Sequence, residues 1–279
     1  MTPRSAWPRI AVLLCLLAAG TAMITITGCA GAPGGAGALP PDQPRAITTA
    51  SDRTDADRRA GVRMELASAY FSRGQLETAL DEVKLALLVN PALGEAYNLR
   101  ALIYGAMGED RLAEDSFARA LQINPQDGAA LHNQGWFFCQ RDRFGPAQVQ
   151  FAAALALPQY RDVARTQLAR GLCFGRNKQW PEAEAALMRA YELEPGNPSI
   201  GINLAEVLVQ RQELERARFY IGRINDVPAA VNAQTLWLAL RIEHKLGRPG
   251  NARQLGDRLQ ERYPQSPEAA LYARGRLDD

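Results

Sequence analysis

Histidine is nearly missing from this chain: His132 and His244 are the only two in 279 residues, and cysteine stops at four. That scarcity works against a metal centre. His132 and Cys139 share a helix face, but seven positions place them about 10 Å apart along a helix axis. One tetrahedral zinc needs bonds of about 2.0–2.3 Å, and a nucleophile needs its base within hydrogen-bond reach. Phosphate-loop, Gly-x-Ser-x-Gly and His-Glu-x-x-His patterns are absent. Carboxylates are scattered as on solvated helices. The chain therefore reads as no enzyme, with no cofactor, metal or small-molecule substrate expected. Charge of one sign is missing too. The formal net charge is +2, and the first 28 residues carry Arg4 and Arg9 and no acid, so the remainder is neutral. A neutral chain has no electrostatic claim on nucleic acid. Aromatics are only 7%, and no segment has the two-residue alternation of a strand.

What is present is alanine, a fourfold cysteine count that sorts by position, and a marked N-terminus. Apolar residues make up 47%; with so much alanine, they favour close-packed helices. Arg4 and Arg9 precede Ile10 to Ile26, an uncharged run of 17 residues. It is short for a membrane-spanning helix, which takes about 20. A transmembrane helix and a plain signal peptide are the two alternatives at this point. The run ends in Ile26-Thr27-Gly28-Cys29, which resembles the lipobox of bacterial lipoproteins. That resemblance implies a signal peptide over 1–28, cleavage before Cys29, and lipid attachment to Cys29. Ala30, rather than Asp, follows the cysteine; by analogy with lipoprotein sorting this implies an outer-membrane anchor facing the periplasm. Residues 29–55 are rich in Gly, Ala and Pro without periodicity and read as a flexible tether. The folded domain is expected over 56–279.

From about Ala60 the sequence repeats every 34 residues. The clearest unit is Gly94 to Asp127, with Tyr97, Ala101, Tyr104, Ala113, Phe117, Ala120 and Pro125 at its marker positions. Six units read as about 60–93, 94–127, 128–161, 164–197, 198–231 and 233–266, followed by a capping helix. Small residues recur at the eighth position (Ala67, Ala101, Gly135, Gly171), where two antiparallel helices approach closely. Proline at the thirty-second position stops the second helix. The pattern resembles the tetratricopeptide (TPR) repeat. It implies an all-α, right-handed superhelical solenoid whose first helices line a concave groove. Between the third and fourth units the register slips by two residues around Pro158 and Tyr160, either a tolerated insertion or a contact point.

In TPR arrays the groove is lined from fixed positions of each first helix. Here these are Met64 and Phe71; Asn98 and Leu102; His132, Trp136 and Gln140; Arg165, Leu168 and Arg176; and Ile202, Glu206 and Val209. Trp136 fits either packing or partner contact. The set lacks the basic and Asn clamp that grips chaperone C-termini. Cys139 and Cys173 fall on adjacent first helices, and the tenth position of such a helix faces the preceding one. In an oxidising periplasm the pair is expected to form a disulfide closing 33 intervening residues; two small buried thiols are the alternative.

The segment Ala130–Leu155, "ALHNQGWFFCQRDRFGPAQVQFAAAL", resembles the third repeat of the PilF/PilW type IV pilus biogenesis lipoproteins. "GNPSIGINLAEVLVQRQELERARFYI" is similar to their fifth repeat, and "RQLGDRLQERYPQSPEA" to their closing helix. The resemblance implies an outer-membrane pilotin that assists the type IV pilus secretin, the pilus exit pore, or stabilises pili. The rival expectation is an envelope adaptor for peptidoglycan enzymes or outer-membrane protein assembly. On either reading the partners are proteins, with the membrane reached through the lipid.

Overall fold

A computed structural model describes residues 54–277, and every regular element among them is a helix. The expected signal segment, Cys29 and nearly all of the expected tether lie outside the described residues. The helices pair in sequence: α1 (Asp55–Ser72) with α2 (Leu76–Val89), α3 (Gly94–Met107) with α4 (Asp110–Ile123), and α5 (Gly128–Gln140) with α6 (Phe144–Leu155). Then come α7 (Val163–Arg176) with α8 (Trp180–Leu193), α9 (Pro198–Gln210) with α10 (Leu214–Asn225), and α11 (Ala233–Lys245) with α12 (Pro249–Arg262). A short α13 (Pro267–Ala273) closes the array.

Local chemistry sets each boundary. α1 begins before the repeat boundary at Ala60 because Thr54 and Asp57 form a capping box. The Asp57 amide donates to Thr54 Oγ1 at 3.1 Å and the Thr54 amide to Asp57 Oδ2 at 3.2 Å, which satisfies two otherwise orphaned donors. The second helices of four pairs stop at a residue preceding proline. Asn90, Asn124, Glu194 and Tyr263 share φ of −133° to −136°. Proline's ring excludes the α conformation from the residue before it. Each turn inside a pair holds one residue in the left-handed region: Gly74, Gly108, Asp142, Lys178, Gln212 and Gly247. Their spacings are 34, 34, 36, 34 and 35 residues, so the backbone records the repeat and its two slips.

Close packing follows from the small residues. Ala67 and Ala101 are fully buried. At Gly171 an added Cβ would stand 2.6 Å from Leu187 on α8. The larger side chains Phe117, Phe151 and Leu187 fill the space between pairs, all at 0% exposure; each contributes about 1.5–3 kcal/mol by burial. Instead of one central core there are four successive apolar clusters, from the α1–α3 region to the α11–α13 cap.

Each odd-numbered helix touches its even neighbours and also the next odd-numbered helix. Among the described residues no even-numbered helix touches another. The array therefore curves with α1, α3, α5, α7, α9 and α11 on its inner side. The slip between the third and fourth pairs is a contact point. Tyr160 lies over Gly128, where an added Cβ would sit 2.3 Å from the ring, and its hydroxyl is 2.6 Å from Thr166 Oγ1.

Candidate protein-binding surfaces

The inner helices of the first three pairs enclose a pocket of about 470 Å³. Phe71 comes from α1, Leu102 and Gly105 from α3, and Trp136 and Gln140 from α5. Gly105 leaves room on the floor, and Phe137 comes closest, 3.2 Å from where a Cβ would be. Trp136 does both things open to it: it packs against the cluster built on Phe117, Phe137 and Phe151, and it lines the pocket. Along the same surface Asn133 Nδ2 donates to Asn98 Oδ1 at 3.2 Å, linking two neighbouring inner helices through amides. The combination of an apolar hollow, one partly buried Trp and adjacent amides suits a polypeptide, whose side chain fills the hollow while its backbone meets the amides.

Sequence position alone does not reveal Arg141, the residue after α5. Its guanidinium lies 4.3 Å from the Phe137 ring centroid, and its Nη2 donates to Gly105 O and to Asp110 Oδ1, both at 2.7 Å. Arg141 thus ties the end of α3 to α5 and holds one wall of the pocket. Its only sequence signal is the basic turn Arg141-Asp142-Arg143.

The other residues expected in the groove are distributed differently. Met64 packs with the first apolar cluster and Leu168 with the one around Leu204. Arg165 is exposed. Arg176 Nη2 donates to Asp142 Oδ1 at 3.0 Å, joining two successive turns. His132 is a correction: it is 5% exposed, so it offers nothing to a ligand. Its Nδ1 lies 2.8 Å from Thr166 Oγ1 on α7, and the slip that brings Tyr160 to the same hydroxyl encloses it. Burial, reinforced by the Arg165 charge, lowers the His132 pKa to about 4. Further along, Glu206 and Val209 line a smaller hollow of about 260 Å³ with Trp180 and Arg241. Burial raises the Glu206 pKa, and the Arg241 charge opposes that rise. Ile202 packs into the core beside it.

Cys139 and Cys173 are both fully buried. They form a disulfide between α5 and α7, with Cα atoms 5.8 Å apart. It fastens the third pair to the fourth at the same interface as His132, Thr166 and Tyr160.

A second surface lies on the first pair. Val62, Leu66, Leu85 and Leu88 are exposed, Leu88 at 78%. They flank a shallow cleft of about 680 Å³ edged by Arg59 and by Arg63, which pairs with Glu82 at 2.8 Å. One repeat further on, the places of Leu66, Leu85 and Leu88 are taken by Arg100, Arg119 and Gln122. Terminal repeats ordinarily turn a polar face outward, whereas this one is apolar. Exposed patches of this sort mark contact sites. Aligning the repeats exposes the signal, but leucine at helical spacing reads as core until its neighbours are known.

Comparison with known proteins shows what the chain is similar to. Models of the tetratricopeptide repeat match residues 94–127 and 176–241. The type IV pilus assembly protein PilF of Pseudomonas aeruginosa is 25% identical over 212 residues, 76% of this chain and 84% of PilF. The crystal structure of PilW, a type IV pilus biogenesis factor, superposes with a TM-score of 0.70 at 28% identity, covering 77% of this chain and 98% of PilW. The structure of P. aeruginosa PilF gives 0.68 at 23% identity over 80% of this chain and all of PilF. The chain carries tetratricopeptide repeats and is similar to PilF in sequence. The six helix pairs thus form a TPR-like solenoid, and the Phe71–Trp136 pocket lies in its inner groove.

Proposed function

We propose that this TPR protein is an outer-membrane-anchored scaffold for type IV pilus biogenesis, without enzymatic activity, that assists the secretin in reaching and assembling in the outer membrane. The observation that carries the reading is the extent of the likeness: it spans 76% of this chain and 84% of PilF, not one repeat motif. The lipid on Cys29 would hold the array at the membrane, and tethering there raises its effective concentration toward secretin subunits. A secretin segment docks on the first three TPR units, using the Phe71–Trp136 pocket and the apolar face around Leu85 and Leu88. Trp and Phe in such hollows dominate interface energies.

Deleting the gene tests the proposal. Secretin multimers should vanish from outer-membrane fractions and pili should be lost; multimers that persist in the outer membrane with normal piliation would contradict it. Cys29→Ala should move the protein out of the outer-membrane fraction. Retention there would remove the anchoring step.

A further inference from the structure

Away from both of these surfaces, a cleft of about 440 Å³ opens between α10 and the α11–α12 pair. Phe219 stands at its edge, 57% exposed on an even-numbered helix. Three arginines line the cleft, Arg218, Arg223 and Arg258. Arg218 is neutralised: its Nε donates to Glu243 Oε1 at 2.5 Å, and Glu243 also accepts from Asn251 Nδ2 at 3.0 Å. Arg223 lies 5.8 Å from the Phe219 ring centroid. Among the described residues neither Arg223 nor Arg258 has a carboxylate partner, although Asp226 also reaches the cleft.

We propose that this cleft binds an acidic, extended peptide segment of a partner protein. Two uncommitted guanidinium groups match carboxylates, to which arginine donates paired hydrogen bonds. Phe219 offers an exposed aromatic face to an apolar side chain of the same segment. The site is built chiefly on α10 and α12 and shares no lining residue with the inner-groove pocket, so the two can be occupied together.

The test uses the full chain in detergent and two capped hexapeptides, one alternating Asp with Leu and the other alternating Asn with Leu, titrated calorimetrically. The acidic peptide should bind at least about ten-fold more tightly, because charge-assisted bonds are roughly twice as strong as neutral ones. Arg223→Gln/Arg258→Gln should abolish that preference, and Phe219→Ser should weaken both peptides about ten-fold. Phe71→Ala/Trp136→Ala should change nothing. All five positions are at least partly solvent-facing, and circular dichroism checks that each variant remains helical. Equal affinity for the two peptides overturns the proposal, as does a preference that survives the double arginine change or disappears with the groove variant. Arginine-dependent binding of phosphatidylglycerol vesicles in place of the peptide assigns the cleft to membrane and likewise overturns it.

Discussion

His132 shows how one residue's role turns on its neighbours. By position it belongs to the groove, and the reading fails because the register slip is invisible as a contact in one dimension. Tyr160 and Thr166 close over the ring only when α5 and α7 lie side by side. A pKa of about 4 in the folded chain against about 6.5 unfolded fixes the sign of a pH effect. Between those values the unfolded chain binds more protons, so stability falls as pH falls. The full loss, reached below pH 4, is about 3 kcal/mol, and about 2 kcal/mol of it is present by pH 5. Urea titrations at pH 7 and pH 5 should show that difference. His132→Gln should remove most of it, and an unchanged pH dependence in the variant would assign the effect elsewhere. The prolines and small residues, by contrast, were legible directly: a pre-proline residue and a close helix crossing are dictated by local sterics, whatever the surroundings.

At the scale of elements, the turns inside each pair carry a graded signal. Gly74, Gly108 and Gly247 announce a left-handed residue, but Lys178 and Gln212 hold the same conformation, at φ of 57° and 61°, without the residue type that favours it. The helix pair on either side imposes it. Left-handed backbone costs a side-chain-bearing residue about 1–2 kcal/mol, partly offset by the greater entropy loss of glycine. Lys178→Gly is therefore expected to stabilise the array by about 0.5 kcal/mol, and Gly108→Ala to destabilise it by about 1 kcal/mol; urea midpoints measure both. Gly171 is a different case. Its φ is ordinary, and the constraint is the Leu187 side chain 2.6 Å from a would-be Cβ. Gly171→Ala should cost about 1–3 kcal/mol through overpacking, and a thermal melt unchanged from wild type would contradict that close approach. α1 extends past its repeat boundary because the Thr54–Asp57 box lies upstream of the periodic pattern, where repeat spacing carries no information.

Across the whole array, stability is a chain of neighbouring contacts, since the helices of each pair touch only those of the pairs beside it. The Cys139–Cys173 disulfide reinforces one link in the middle. Cys139→Ser/Cys173→Ser is expected to lower stability by about 3 kcal/mol, by releasing a loop of this length in the unfolded chain. Equilibrium urea unfolding of the variant beside the oxidised wild type reads that loss; identical curves would mean the bond adds nothing. The solenoid itself was legible from the 34-residue period, because every unit repeats the same two-helix solution. The end face on α1 and α2 was not, because burial by a neighbouring repeat is the only difference between a core leucine and an exposed one. The proposed function rests, at this scale, on the first three helix pairs offering apolar surface to a protein partner. The decisive measurement is the affinity of the full chain for the secretin's periplasmic region, wild type against Phe71→Ala/Trp136→Ala/Leu85→Ser/Leu88→Ser, with helicity checked in parallel. A loss of about a hundred-fold with the helices intact is expected; binding as tight as wild type would contradict docking on these units.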